Sequence, residues 1–488
     1  MKTVWILGDQ LRRDTGALAP YKAGEVRVLL VESTAKLHGH RQRLHFVIAS
    51  MRRFAEELKA EGFKVDYRKA PTMQKGFDEH CQQHKPDEVI AMSPMSYDGL
   101  QLLQRNNVTI VPNDQFLCSA EEFAQWAGEK KFKMEDFYRW QRRRLSILMD
   151  GKEPAGGRWN FDADNREPPP KDGRRWPAPI VDKLDRIDAR VIADVGGYGK
   201  APEGLWSTTR KGALARLRQF VDEVLPLFGP HEDAMLKSEW KLAHSALSPY
   251  LNIGLLSPAE VVSAVEEAYR AGNVPIASAE GFIRQVIGWR EYVWGLYWLW
   301  MPDYRNLNEL QADQPLPPSF TGAATDMACI RHVVDGVNER AWVHHIERLM
   351  ILGNFTLTYG AIPQQVVKWM WHSFIDGAEW VMLPNVIGMA LYADGGRMAT
   401  KPYASSGSYI NRMSDYCGDC RFNFKERIGE NACPFTTLYW DFLARNEESL
   451  KSNHRLGNQM GSMRKMQNLD LVRERAVEIR AAIANGEL

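Results

Sequence analysis

Five short apolar runs rich in β-branched residues occupy the first part of the chain, and then such runs stop. They are Thr3–Leu7, Val26–Val31, Phe63–Tyr67, Glu88–Met92 and Val108–Val111. Between the second and third, Leu44, Val47, Ile48, Met51, Ala55 and Leu58 repeat at helical spacing. Strands alternating with helices predict a doubly wound parallel sheet, with ligands at the carboxyl ends of its strands. Gly8-Asp9-Gln10 closes the first run and Glu32 the second, where acidic side chains can accept hydrogen bonds from a ribityl or ribose chain, or simply cap helices. No G-x-G-x-x-G or P-loop follows the first run, which disfavours a standard dinucleotide or triphosphate site.

Beyond about residue 206 the pattern is helical to the end, so the expected fold is an α/β N-terminal domain followed by a large all-α domain. The predicted organisation is a sheet domain over 1–130, a connector over 131–205 broken by Pro168-Pro169-Pro170 and Trp176-Pro177-Ala178-Pro179, and a helical domain over 206–488. Tyr138-Arg139-Trp140-Gln141-Arg142-Arg143-Arg144 reads by default as a solvated basic helix face.

Lys and Arg number 62 against 61 Asp and Glu, which excludes a strongly basic or acidic tail but not a local nucleic-acid-binding patch. Six Cys in 488 residues are too few for a disulfide-stapled secreted domain. Met1–Gly8 reads as a strand rather than a leader, and the apolar stretch Tyr292–Met301 is half the length of a membrane span. These features predict a cytoplasmic protein with no membrane association. Trp is as frequent as Tyr, 16 of each, and is concentrated in the helical half, as core filler, redox relay or stacking platform.

Cys417-x-x-Cys420 and Cys433-Pro434 carry the strongest local chemistry, with Cys329 the best candidate for a fourth ligand. Four thiolates suit a structural zinc or an iron–sulfur cluster. His244-Ser245-Ala246-Leu247-Ser248-Pro249 places hydroxyls at a helix start, where free backbone N–H groups can hold phosphate. Arg284-Gln285-Val286-Ile287-Gly288-Trp289-Arg290 could hold a planar, phosphate-bearing cofactor. His344-His345 puts two adjacent imidazoles on a helix about 100° apart, so they cannot share one metal from one face, although one could act as an acid.

In this order, these segments resemble the cryptochrome/photolyase superfamily, and most closely its bacterial iron–sulfur branch, which includes prokaryotic (6-4) photolyases. Leu7-Gly8-Asp9-Gln10-Leu11, Arg158-Trp159-Asn160-Phe161-Asp162, Phe228-Gly229-Pro230-His231-Glu232-Asp233-Ala234-Met235 and Leu383-Pro384-Asn385-Val386-Ile387-Gly388-Met389 extend the resemblance over the whole chain. It implies a lyase that uses light to repair (6-4) photoproducts in UV-damaged DNA, as a monomer that joins the nucleoid when bound to DNA. It also implies FAD, a [4Fe-4S] cluster and a 6,7-dimethyl-8-ribityllumazine antenna.

By the same resemblance, FAD would be held by Ser245, Leu247, Ser248, Leu251, Arg284, Gln285, Trp289, Arg290, Arg348, Asn354, Asp376 and Asn385. The cluster would be ligated by Cys329, Cys417, Cys420 and Cys433, and the antenna held by Gly8, Asp9, Gln10 and Glu32. His345 would be the acid, with His344 assisting and Tyr403 touching the lesion. Trp369 would be the tryptophan nearest the flavin, with Trp371 or Trp380 extending the relay. The chain departs from relatives at Thr321, where they carry Trp, at Met370, where they often carry Tyr, and at Met382, where they can carry Glu. A light sensor of the same fold with little repair, and a zinc-containing nucleic-acid-binding protein, are the competing readings.

Overall fold

The computed structural model describes residues 1–129 and 131–488, so the expected domain boundary at residue 130 lies outside the described residues. All five expected strands form: β1 Lys2–Ile6, β2 Val26–Ser33, β3 Lys64–Ala70, β4 Val89–Met92 and β5 Thr109–Val111. They make one parallel sheet in the order β3-β2-β1-β4-β5. Helices α1 Arg41–Ala60, α2 Met73–His84 and α3 Tyr97–Arg105 supply the crossovers.

Side-chain alternation along β1 sorts its residues onto two faces. Val4 and Ile6 join the core that contains Leu44, Ile48 and Leu58 of α1. Trp5 and Leu7 join Phe77 of α2 and Leu102 and Leu103 of α3 on the opposite side. Both faces are thus covered, as a parallel sheet requires. Trp5 stacks on Phe77 with ring centroids 4.8 Å apart.

The connector is more ordered than its prolines suggest. It contains the helix Arg186–Asp194, whose Asp185 side chain accepts from the backbone N–H groups of Ile187 and Asp188. Asp188 then binds His45 at 3.0 Å and Arg53 at 2.6 Å, strapping this helix to α1. The basic segment forms the helix Met134–Leu145, and here the expectation of a solvated face fails at one residue. Arg142 is fully buried and donates to the carbonyls of Trp159 and Leu148.

From Trp206 onward the named elements are helical. The start of α1 docks on this half: His40 N–H donates to His372 O at 2.9 Å and Arg43 donates to Gly377 O at 3.0 Å. Among the described residues four segments are π-helical: Phe220–Val224, Arg284–Arg290, Glu347–Gly353 and Pro384–Ala390. The last three carry six of the residues expected to hold flavin or lie beside it. A π turn inserts one residue into a helix and re-aims its side chains, a device found mostly at functional sites. No helix among the described residues is long and apolar enough to cross a membrane.

Candidate active site and cysteine centre

The strap between the helix Pro363–Ser373 and the helix Glu379–Leu383 brings Asp376 to the middle of the helical half. Arg348 Nη1 reaches its two carboxylate oxygens at 2.9 and 3.1 Å. Ser248 Oγ donates to Asp376 Oδ2 at 2.6 Å, and Asn252 donates to Asp376 O at 3.0 Å. Sequence positions 248, 348 and 376 therefore form one hydrogen-bonded unit. Upstream of Ser248, Leu242 and Ala246 adopt positive φ of 47° and 52°. Left-handed backbone at a bulky residue is strained, and such strain collects at ligand sites. Leu247 and Leu251 are buried beside it, and Ser245 Oγ accepts from Leu247 N–H.

One turn before Arg348 lie the two histidines, and the structure corrects their setting. His344 is not inside a helix; it precedes the helical turn that begins at His345, and its N–H donates to Glu347 three residues on. This is half of a capping box. The arrangement turns both imidazoles toward a third: His244 stacks on His344 at 4.4 Å and meets His345 edge-on at 5.2 Å. His344 is buried, whereas His345 lies deep in the protein yet opens to solvent, as a residue lining a cleft does.

Burial sets the protonation of this group. His244 and His344 are held well below the ordinary histidine value, first by desolvation and then by the neighbouring imidazoles. His345 is also lowered, by burial and then by Arg348. Glu347 moves the other way: burial pushes it up to about 7, although Tyr416 donates to it at 2.7 Å. Its second oxygen lies 3.5 Å from His344 Nε2. Near neutral pH the proton store beside the histidines is therefore a carboxyl group. Neither His244 nor Glu347 was among the expected site residues; the signal for Glu347 was a carboxylate three residues after a histidine at a helix start.

The other expected flavin residues fall into two neighbouring groups. Arg284 binds Asp162 at 3.0 Å, Gln285 donates to Glu232 at 2.8 Å, and Tyr403 lies close enough to feel both Asp162 and Arg284. Arg290 donates to Glu291 at 2.9 Å and lies 4.0 Å over the Phe116 ring and 5.3 Å from Trp380. Trp289 meets Tyr292 edge-on. Asn354 and Asn385 are each bonded within the protein, to Ser405 and to Val381 O.

Several buried donors here have no partner among the described residues: Arg290 Nε and Nη2, Arg284 Nε and Trp380 Nε1, with His344 Nδ1 and His244 Nε2 beside them. Each such atom costs about 1–3 kcal/mol unless something fills its need. A bent cofactor bearing phosphates and ring carbonyls is a chemical match for that donor set.

The tryptophans separate. Trp369 donates to Phe320 O at 2.9 Å, and its ring neighbours are Phe320 and Phe374. Trp371 lies against His372. Trp380 instead leads to Trp294 at 5.8 Å, and Trp294 to Trp298 at 5.5 Å.

The four cysteines do converge. Cys329, near the start of the helix Ala328–Arg340, joins Cys417, Cys420 and Cys433 around one small pocket, with Met327, Ile410, Tyr416 and Phe422 completing an apolar wall. All four are free thiols. Burial raises Cys417 to about 12 and Cys433 to about 11, and on Cys329 and Cys417 the other sulfurs add to the shift. Thiolates here need a positively charged partner. A tetrahedral zinc with bonds of about 2.3 Å requires sulfurs roughly 3.8 Å apart. Among the described residues, Asp66, His80 and His84 form the one group whose ligand atoms lie within 4.8 Å of one another, so no three of these sulfurs are that close. The wider spread fits a polynuclear cluster better than a single ion.

At the strand ends, Gln10 donates to Ser93 O at 3.1 Å, and Asp9 O accepts from Gln115 at 3.0 Å. Gly8 packs against Met51, where a Cβ would come within 2.8 Å of the sulfur. Glu32 is buried, and it accepts from Arg52 on both oxygens, at 2.9 and 3.0 Å, and from Tyr67 at 2.7 Å. Its Oε1 also has Lys69 Nζ at 3.8 Å and keeps one lone pair, which a ligand would share with that cation.

Residues 4–206 match the family model described as deoxyribodipyrimidine photo-lyase-related protein. A (6-4) photolyase of Agrobacterium fabrum is 43% identical, over 95% of this chain and 95% of its own. Among solved structures, a class III photolyase from Agrobacterium tumefaciens superposes with a TM-score of 0.57 at 16% identity, over 99% of this chain and 98% of that one. A Synechocystis cryptochrome superposes with a TM-score of 0.53 at 14% identity, over 85% of this chain and 88% of that one.

Proposed function

The chain belongs to the photolyase family, and on that premise we propose that it repairs (6-4) photoproducts in UV-damaged DNA by light-driven electron transfer. The observation that carries the reading is the trio His244, His344 and His345 at a cleft, one helical turn from the Arg348–Asp376 pair. It supplies proton chemistry where the family places a redox cofactor.

Fully reduced FAD, when bound, would supply the electron under light, since no side chain is that reducing. Ser245, Leu247, Ser248 and Leu251 would hold its phosphate and ribityl chain, the positive φ of Ala246 shaping the turn. The open donors of Arg284 and Arg290 would meet its acceptor atoms, with Gln285, Trp289, Asn354 and Asn385 at its edges. Arg348 and Asp376 would lie beside the flavin ring.

His345 is the group open to the cleft, so it is the acid that protonates the lesion, with Tyr403 as a further contact. In the protein alone it is neutral near pH 7. DNA phosphates entering the cleft add the negative charge that favours imidazolium. His244 meets its ring edge-on and stacks on His344, whose Nε2 faces Glu347, the reserve of protons. The lesion must leave the base stack to reach the cleft, and its weakened pairing lowers that cost.

The cysteine site takes a [4Fe-4S] cluster, ligated by Cys329, Cys417, Cys420 and Cys433, in a structural role: it ties residue 329 to the segment 417–433. Electrons for resting flavin enter through Trp369 or through the Trp380–Trp294–Trp298 series, with Trp371 set aside against His372. A ribityllumazine at Gly8, Asp9, Gln10 and Glu32 would use the remaining Glu32 lone pair. The protein works as a monomer, in the cytoplasm and on the nucleoid.

The deciding experiment illuminates photoreduced protein with matched oligonucleotides carrying either a (6-4) lesion or a cyclobutane dimer. Restoration of the (6-4) oligonucleotide alone is expected, and His345→Asn should lower it by about 10²–10⁴-fold. Restoration of neither substrate by protein that has bound flavin would sink the repair reading.

A further inference from the structure

The one group of potential metal ligands within 4.8 Å of one another, among the described residues, lies outside the helical half altogether. His80 and His84 stand one turn apart on α2 and so share a face. Asp66 projects toward them from β3, on the side of the strand opposite to Tyr67, which turns to Glu32. Asp66 Oδ2 is 2.7 Å from His80 Nδ1 and 3.2 Å from His84 Nε2.

These distances can be tested against metal geometry. Tetrahedral zinc with bonds of about 2.0–2.1 Å places its ligand atoms roughly 3.3 Å apart. The His84 separation already matches, and the His80 separation needs to open by about half an ångström. The ring of His80 is fully buried, and its Nε2 lies 2.9 Å from the hydroxyl of Thr3 on β1. At 2.7 Å His80 Nδ1–H donates to Asp66 Oδ2; an ion between them would replace that proton and leave Nε2–H to donate to the Thr3 hydroxyl, the supporting arrangement typical of metal-bound histidine. His84 and Asp66 retain 18% and 14% exposure, which leaves an entry path and room for a water as fourth ligand.

The surrounding charges have also been arranged around this point. Arg68 Nε competes for Asp66 Oδ2 at 2.7 Å, and its Nη1 lies 3.8 Å from Glu79, which can receive the guanidinium when an ion arrives. Two imidazoles and a carboxylate suit a borderline divalent ion, zinc above calcium or magnesium.

We propose that Asp66, His80 and His84 form a transition-metal site that binds Zn²⁺ and staples the edge strand β3 to α2. β3 is the terminal strand of the sheet, with β2 as its sole sheet neighbour. An edge strand gains most from a clamp to the helix that covers it.

Zn²⁺ titration of the flavin- and cluster-loaded protein by calorimetry, with iron content followed in parallel, tests this. One Zn²⁺ per chain is expected, with no iron released and a rise in thermal midpoint. His84→Gln, at a partly exposed position that can fold without the ion, should weaken binding at least tenfold and abolish the rise. Arg68→Gln removes the competing cation and should tighten binding severalfold. Zinc binding that is unchanged in His84→Gln, or that displaces iron, would assign the ion to other ligands and overturn the proposal. So would an absence of binding at 100-fold molar excess.

Discussion

Glu32 in the sheet half and Arg290 in the helical half are both charged groups shielded from solvent, and the protein treats them in opposite ways. Glu32 has Arg52 on both oxygens and Tyr67 on one, and Arg52 continues to Asp194 at 2.7 Å. Its charge is balanced within the fold. Arg290 has Glu291 and an aromatic wall, but two of its nitrogens reach no acceptor among the described residues. A buried unpaired donor is tolerated where a ligand completes it. The difference separates a buried charge that the fold itself balances from one that is completed by what it binds.

The cysteine centre is the severest case of that dependence. Without a positive partner, four thiols must stay protonated around an apolar cavity, and segments 329 and 417–433 lose their tie. Cys420→Ala should therefore remove iron and destabilise the chain by about 4 kcal/mol or more, among the largest effects of a single substitution. Iron assay and chemical denaturation check it. A cluster-free variant of wild-type stability would make the centre a redox device and not a clamp.

Glu32 and Arg290 can be compared directly. Glu32→Ala leaves Arg52 with Asp194 alone and Tyr67 without an acceptor, and should cost about 3 kcal/mol while flavin content is unchanged. Arg290→Met removes a charge whose needs the protein does not meet. It should change the stability of the flavin-free chain by less than about 1 kcal/mol yet sharply lower bound flavin. Unfolding curves and the flavin-to-protein absorbance ratio report on both. If both variants lose stability and keep flavin, the distinction between the two charges fails.

The two halves also differed in how far they could be read before folding. Short apolar runs announced β1 to β5, because β-branched residues cluster in each of them and turns bound them. The cysteine set was legible because C-x-x-C is local and only two other cysteines, Cys329 and Cys433, lie in the helical half. The histidine site was legible only in part. Its π turns at Arg284–Arg290, Glu347–Gly353 and Pro384–Ala390 break the 3.6-residue period, so the direction of each side chain could not be counted from its neighbours. His244 reaches His344 across a separation of 100 residues, which no local pattern encodes. Arg142 was misplaced because its partners, the carbonyls of Leu148 and Trp159, are backbone atoms that carry no sequence signature.

Glu347 offers a gentler test, because its need is for a proton and not a ligand. In the folded protein it holds that proton up to about pH 7, against an ordinary value of 4.5. Between those values the folded state binds more proton than the unfolded state, so stability falls as pH rises. The contribution is fully present below about pH 4.5 and lost above about pH 7. Glu347→Gln keeps the bonding pattern without titrating, so wild type should lose up to about 3 kcal/mol relative to it across that window. Parallel pH-stability profiles of the two proteins would mean that Glu347 is already ionised at pH 5 and holds no reserve proton for His344.

The smallest expected effect concerns the electron path, and it divides the helical half against itself. The resemblance to the family implies that Trp369 is the tryptophan nearest the flavin, but its ring contacts are Phe320 and Phe374, and Thr321 stands where the resemblance implies a further tryptophan. Phenylalanine is far harder to oxidise than tryptophan, so a hole formed on Trp369 has no easy next step among those contacts. Trp380 is buried, has an unpartnered indole N–H, and continues through Trp294 to the half-exposed Trp298. Trp294→Phe should therefore slow photoreduction of bound flavin about tenfold, equivalent to about 1.4 kcal/mol in the effective barrier. Trp369→Phe should slow it less. Following flavin bleaching under blue light with a thiol reductant compares the two. A larger loss in Trp369→Phe would return the path to the family's position and leave the Trp380 series as packing.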